Sequence, residues 1–203
     1  IKVAGMNRGF GVEVFENLDQ LKNLIKEIGT GYQERIVQDN KQISRSSTYI
    51  KTAKFVIQKY IERPLLYRGR KMDLRVWGMF THELKLHVFK DCYVRLSASA
   101  FSVDRLQEKF VHLTNNALQK YSEQYDEDET LKSTQDFEAY IRETLRPHYD
   151  FKRDTWPIIR RQIRLTYLCC QKQVNLGNKK TSFEIFGYDF MMDEDFRVWL
   201  IET

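Results

Sequence analysis

Phe183-Glu-Ile-Phe-Gly-Tyr-Asp-Phe-Met-Met192, the acidic break Asp193-Glu-Asp195 and Arg197-Val-Trp-Leu-Ile-Glu-Thr203 decide how the rest of the chain is read. Two aromatic and β-branched runs around a short polar break predict a β-hairpin. Each run sets one carboxylate, Asp189 or Glu202, among apolar neighbours. With a loop over residues 193–196, Met192 pairs with Arg197 and Asp189 lies opposite Leu200. Glu202 is then the same-face diagonal neighbour of Asp189, roughly 7–8 Å away. A three-residue loop puts the two acids on opposite faces, because a one-residue slip turns every side chain over. Acids in apolar surroundings are rarely left unpaired, so a shared hard cation such as Mg²⁺, its oxygen shell completed by substrate phosphates, is the economical reading. The plain alternative is two acids at a solvated strand edge.

The 203 residues, 42% apolar and 13% aromatic, suffice for one sizeable core or two small ones and have ordinary globular composition. No apolar run approaches bilayer length, and no leading charged-then-apolar segment is present; a soluble protein without a membrane partner is expected. The sequence opens at Ile1 in what reads as mid-strand and stops at Thr203 at a strand end, as expected of part of a longer protein. Lys and Arg exceed Asp and Glu by 33 to 28, a net +5, which favours acidic partners (nucleic acid, phosphates or acidic peptide) without choosing among them. Cys92 and the adjacent Cys169-Cys170 have neither disulfide-framework nor metal-ligand spacing, which fits a reducing compartment.

Along the chain, Ile1-Lys-Val-Ala leads through Gly5-Met-Asn-Arg-Gly9-Phe-Gly11 into Val12-Glu-Val-Phe15, a strand, loop, strand pattern. Asn17 is placed as the N-cap of a helix whose stripe is Leu18, Leu21, Leu24, Ile25 and Ile28. Residues 30–54 are polar and without period and read as a mobile loop or disordered insert. Strands follow at residues 55–61, 73–80 and 85–89. The acidic run 126–129 reads as a solvated loop. A helix covers residues 137–145, and another opens with Asp154 as cap and Pro157 in its first turn. Helices on antiparallel strands make the class α+β.

The glycine loop suits phosphate, since glycines let backbone N–H groups approach an oxyanion and Lys2 and Arg8 add positive charge. Its Gly-x-x-x-Gly-x-Gly spacing, between two strands, is neither a P-loop nor a dinucleotide fingerprint; a hairpin turn is the plain alternative. Lys59 sits in an apolar run. Lys71, Asp73 and Arg75 alternate onto one strand face, a pattern ordinarily solvated. Arg95 can hold a carboxylate by a bidentate pair, and Thr114-Asn115 offers small polar ligands. Together, a glycine flap, several cations and a late carboxylate pair are the parts that bind a nucleoside triphosphate through Mg²⁺. His82, His87, His112 and His148 lack metal spacing and no nucleophile stands out, so positioning and electrostatics are the expected catalytic means.

Lys2 with Gly5-Met-Asn-Arg-Gly9-Phe-Gly11, Phe55-Val-Ile-Gln-Lys-Tyr-Ile-Glu-Arg-Pro64-Leu-Leu, Gly69-Arg-Lys-Met-Asp-Leu-Arg75, Tyr93-Val-Arg95, His112-Leu-Thr-Asn115 and Phe186-Gly-Tyr-Asp-Phe190 through Trp199-Leu-Ile-Glu202, in this order, resemble the tubulin–tyrosine ligase-like family. The resemblance spans nearly the whole chain. It implies an ATP-grasp fold, with residues 1–203 as the central and C-terminal parts of the catalytic domain and its N-terminal part absent. It also implies ATP and Mg²⁺ as cofactors. Lys2 and Lys59 would meet ATP phosphates, Arg8 and Gly9 would belong to the flap, and Gln58, Lys59, Tyr60 and Ile61 would include the adenine hinge. Lys71, Asp73, Thr114 and Asn115 would complete the nucleotide pocket. Arg95 would bind the carboxylate of the incoming amino acid, with Lys132 as a further candidate contact, and Arg75 would be catalytic. Asp189 and Glu202 would hold Mg²⁺. Three departures stand out: Val3 replaces a usual proline, which would loosen the flap entry and leaves a non-catalytic relative open; the family's third metal ligand, an asparagine, would lie past Thr203; and the family's N-terminal region is absent.

The implied reaction activates an acceptor carboxyl as an acyl phosphate at the expense of ATP, after which the amine of the added amino acid attacks. The expected partners are tubulin or microtubules, through their acidic tails, and a free amino acid. Polyglutamylation is the leading choice and glycylation the alternative. A non-catalytic microtubule-binding relative is a third reading, and a nucleic-acid-binding module, prompted only by net charge, ranks last. Cytoplasm and cytoskeleton, with cilium or basal body as further settings, are the locations the resemblance implies.

Overall fold

The structure, a computed structural model, describes residues 1–38, 41–52 and 54–203, with only the backbone described for residues 37, 38 and 41–50. The chain divides into two compact units. One comprises Ile1–Glu62, Arg68–Lys71 and Ser97–Thr130, the other Arg63–Tyr67, Met72–Leu96 and Leu131–Thr203.

In the first unit, β1 (Lys2–Val3) and the glycine loop after it form a closed ribbon. Val3 N–H donates to Gly11 O at 2.8 Å and Glu13 N–H to Ile1 O at 2.9 Å. Asn17 caps α1 (Leu18–Gly31) as expected, its Oδ1 accepting from Gln20 N–H at 2.9 Å. Ile28 is fully buried, Leu21, Leu24 and Ile25 pack beside it, and Leu18 faces solvent.

The loop expected over residues 30–54 is instead largely a hairpin of β2 (Tyr32–Gln38) and β3 (Lys41–Ile50); Asp39, Asn40 and Ala53 lie outside the described residues. The alternation was concealed by charge, since Tyr32, Glu34 and Ile36 are the buried positions of β2 and the middle one is a glutamate. The strand expected over residues 55–61 is only β4 (Phe55–Val56), paired with β1. Val56 and Ile57 are exposed, so their strand propensity found no packed face to occupy. The short helices α2 (Lys109–His112), α3 (Asn116–Gln119) and α4 (Glu127–Thr130) complete the unit, α4 standing where the acidic run read as a loop.

The second unit is built on a six-stranded sheet of order β10-β9-β6-β7-β8, with β5 (Leu66–Tyr67) beside β6. These strands are β6 (Arg70–Thr81), β7 (Leu86–Ala100), β8 (Leu131–Ser133), β9 (Phe183–Met192) and β10 (Val198–Glu202). Pairs β6–β9, β9–β10 and β7–β8 are antiparallel. α5 (Thr134–Thr144) opens on a capping box of Ser133 and Asp136. α6 (Trp156–Cys170) follows a π-helical turn, Phe151–Thr155, that Asp150 caps, so Asp154 is not the cap and the wider turn adds residues before Pro157.

One sheet face supplies Leu74, Val76, Val94, Leu96, Tyr188 and Phe190 to a core closed by Phe137, Ile141, Ile159 and Ile163 of α5 and α6. Strand alternation puts the intervening residues, among them Asp73, Arg75, Arg95 and Asp189, on the other face. The expected α+β architecture with a mostly antiparallel central sheet is the one observed.

Candidate active site

The second face of the sheet is charged and yet buried: Asp73 is 7% exposed, Arg95 5% and Asp189 3%. Arg75 and Asp189 are direct partners across β6 and β9. Arg75 Nη2 donates to Asp189 Oδ2 at 3.0 Å and Nε donates to Oδ1. Arg95 Nη2 lies 2.7 Å from the same Oδ2, while its Nε donates to Asp73 Oδ1 at 2.7 Å and its Nη2 also reaches Asp73 Oδ2. The result is a row of alternating charge, Asp73, Arg95, Asp189, Arg75, in which every buried ion has an opposite neighbour. Buried charge is tolerated on that condition. Burial alone would raise the Asp189 carboxyl, but hydrogen bonds from Arg75 and the charge of Arg95 outweigh it and hold the group below its ordinary value. Burial would likewise discharge Arg95, and Asp73 and Asp189 keep it charged. Gly187 makes room for the row: a Cβ there would stand 3.0 Å from Arg75 Nη1 and 3.2 Å from the Trp77 ring.

The hairpin register departs from expectation twice, and the departures cancel. Met192 pairs with Val198, not Arg197, so the loop has one more residue than expected. Asp193 holds it, its Oδ1 accepting from Asp195 N–H at 3.0 Å and Arg197 N–H at 2.9 Å, and its Oδ2 from Trp199 Nε1 at 2.9 Å. Phe196 takes a left-handed φ of 63°. Alone, this slip would put Glu202 on the wrong face. A bulge between Leu200 and Glu202 restores it, making Glu202 the direct Cα partner of Asp189. The two residues are thus direct Cα partners across the hairpin and not the diagonal pair expected.

Two carboxylates on facing positions, without sulfur or imidazole, suit a hard divalent cation that takes one or two protein carboxylates plus phosphate oxygens. Among the described residues no cluster of three His, Cys, Asp or Glu is present, so the remaining oxygens would come from substrate and water. Asp189 would also have to yield an oxygen from the guanidinium groups that now hold it.

In the first unit the glycine loop and the Thr114-Asn115 segment come together. Gly9, at φ 86°, packs so tightly on Asn115 that a Cβ would lie 2.8 Å from Asn115 Oδ1. Arg8, at φ 58°, stands exposed on the loop. Thr114 is buried and Lys2 half-buried on β1. Val3 does not loosen this loop, as its amide makes the closing bond to Gly11 that a proline could not make. Lys71 Nζ donates to Tyr60 Oη at 2.9 Å, and Tyr60 Oη lies 2.8 Å from His112 Nδ1. His112 Nε2 is 2.9 Å from Arg105 O, an atom that only accepts, so the proton sits on Nε2 and Tyr60 donates to Nδ1. Burial pushes the His112 ring down to about 4 and the Tyr60 phenol well above its ordinary value. Of the other expected hinge residues, Ile61 is half-buried, Gln58 is exposed, and Lys59 is exposed and paired with Glu62. Lys132, on β8, is the Cα partner of Val94.

A second buried charge cluster went unread in the sequence. Lys109 Nζ lies 2.8 Å from Glu13 Oε1 and also pairs with Glu34, and Glu34 Oε2 accepts Gly11 N–H at 2.7 Å and Tyr32 O–H at 2.8 Å. It fastens the base of the glycine loop to β2 and α2. The only available signal was Glu34 standing between Tyr32 and Ile36 at strand spacing.

A model described as "Tubulin-tyrosine ligase family" matches residues 1–203. "Tubulin glycylase 3B" and "Tubulin glycylase 3C" of Tetrahymena thermophila are 32% and 34% identical over all of this chain, which covers 15% and 17% of their lengths. "Tubulin monoglycylase TTLL3" of Homo sapiens is 30% identical, again over all of the chain and 24% of its own length. The chain therefore spans less than a quarter of each of these relatives. With the family's motifs laid out on this sheet and glycine loop, the chain belongs to the tubulin-tyrosine ligase family.

Proposed function

We propose that the protein is an ATP-dependent ligase that joins glycine to tubulin through an acyl phosphate. The observation that carries this reading is the buried charged row with Glu202 facing Asp189, in a chain of this family. The acceptor carboxylate attacks the γ-phosphorus of ATP and ADP departs; the amine of glycine then attacks the acyl carbon, phosphate leaves, and the amine proton passes to solvent or phosphate. Arg75, released from Asp189, would face the oxygens on which negative charge grows. Asp189 and Glu202 would hold a divalent cation, which when bound neutralises phosphate charge. Lys2, Lys71 and the Gly9 loop, with Thr114 and Asn115, would contact the nucleotide.

Glycine, the alternative of the sequence reading, displaces glutamate as the leading amino acid. The named relatives are glycylases. The reading places the protein on cytoplasmic or ciliary microtubules. The non-catalytic alternative loses its motive, since Val3 closes the loop. The test is incorporation of labelled glycine, glutamate or tyrosine into tubulin by the purified full-length protein with Mg²⁺ and ATP. Glycine alone should be incorporated; label from glutamate alone would return the reading to polyglutamylation, and none from any would favour the non-catalytic relative.

A further inference from the structure

The net charge of the chain is concentrated in one place. Residues 155–183, α6 and the turns after it, hold Arg160, Arg161, Arg164, Lys172, Lys179 and Lys180 and no acid. That stretch is +6 against +5 for the whole chain, so the remainder is net −1. All six side chains are exposed, and none has an ion pair among the described residues. Elsewhere the arginines of the sheet are matched by carboxylates, so the imbalance belongs to this helix.

The helix is arranged as well as charged. Its inward side is Ile159 and Ile163, both fully buried. On the outward side Arg160 and Arg164 are four residues apart and Arg161 and Arg164 three, so the guanidiniums stand together. Beside them Ile158, Leu165 and Leu168 form an aliphatic strip, 39%, 52% and 45% exposed. Like charges at these spacings destabilise a helix by a few tenths of a kcal/mol per pair, and uncovered aliphatics gain nothing from water. Both features are relieved by one kind of surface, a polypeptide carrying carboxylates beside apolar side chains.

We propose that the outer face of α6 docks an acidic, partly apolar polypeptide segment. Arginine suits carboxylate recognition through its paired N–H groups. Exposed aromatic side chains for stacking bases are lacking on this face, and three aliphatics make a narrow strip for membrane insertion. The proposal rests on charge and exposure and not on the ligase reading.

The test uses the full-length protein and a fluorescent peptide of glutamates interspersed with leucines, with anisotropy read over a salt series. Replacing Arg160, Arg161 and Arg164 together by Glu should weaken binding about tenfold or more and flatten its salt dependence. A control with the same change in net charge, Lys26→Glu, Lys90→Glu and Lys120→Glu, should lose less than about twofold. Leu165→Ser with Leu168→Ser should weaken binding while leaving the salt slope intact. Circular dichroism and melting temperature, expected unchanged, separate loss of docking from loss of fold. Equal loss in the control, or binding of RNA or of phosphatidylserine vesicles through these arginines without binding of the peptide, would overturn the proposal.

Discussion

Arg75 and Arg95 on the sheet and Arg160, Arg161 and Arg164 on α6 are the same side chain in opposite circumstances. The first two lie among carboxylates, Arg95 almost wholly buried. The other three are exposed and have no ion pair among the described residues. The difference shows where charge is part of the fold and where it is available to something else. In the sheet, removal of one charge strands another in a poorly solvated place; on the helix, removal of a charge leaves only water.

The largest effect should follow from breaking the buried row. Arg95→Met removes the bidentate partner of Asp73 and leaves Asp189 with Arg75, and urea unfolding should show a loss of about 3–5 kcal/mol. The buried cluster of the first unit should behave alike. Lys109→Met should cost about 3 kcal/mol, and adding Glu34→Gln should recover much of that loss, because the double variant leaves less uncompensated charge. No recovery would mean that the lysine acts through packing alone.

A smaller effect comes from acid. His112 is held neutral with a folded value of about 4 against an ordinary 6.5. The unfolded chain therefore takes up the proton first, and stability should fall as pH drops from 6.5 toward 4, by about 2 kcal/mol. His112→Gln should flatten that slope. The Asp189 contribution has its own window. Its carboxyl is depressed in the folded state, so its stabilisation persists above the ordinary aspartate value, near 4, and fades only as pH falls through the folded value. The smallest effect belongs to α6: Arg161→Ala should change stability by less than about 0.5 kcal/mol. A loss near that of Arg95→Met would erase the distinction between the two groups of arginines.

Much of this was legible in the sequence. The hairpin announces itself through two aromatic and β-branched runs around a polar break, the β6 segment alternates between charged and apolar positions over residues 71–76, and Asn17 is a capping residue at a helix start. Of the charged row, Asp73 and Arg75 were legible as one strand face, with Lys71, and Arg95 and Asp189 as separate candidates, but not as one buried row, since alternation gives the face and not what covers it. The register of β10 could not be read, because loop length depended on one left-handed residue, Phe196, and parity was restored by a bulge no residue type announces. β2 was missed because a buried glutamate took the place of an apolar residue, and its partner Lys109 lies far along the chain. Local pattern reports no pairing over such a distance.

Asp189 and Glu202 are the proposed cation site for a bound nucleotide. Thermal melting of the full-length protein with ATP and Mg²⁺, compared with ATP and EDTA, tests it directly in the native protein and in Asp189→Asn. The native protein should melt higher only with Mg²⁺ and ATP together, and Asp189→Asn, folded by circular dichroism, should show no such gain. A folded Asp189→Asn protein that keeps the full Mg²⁺-dependent rise would contradict the account.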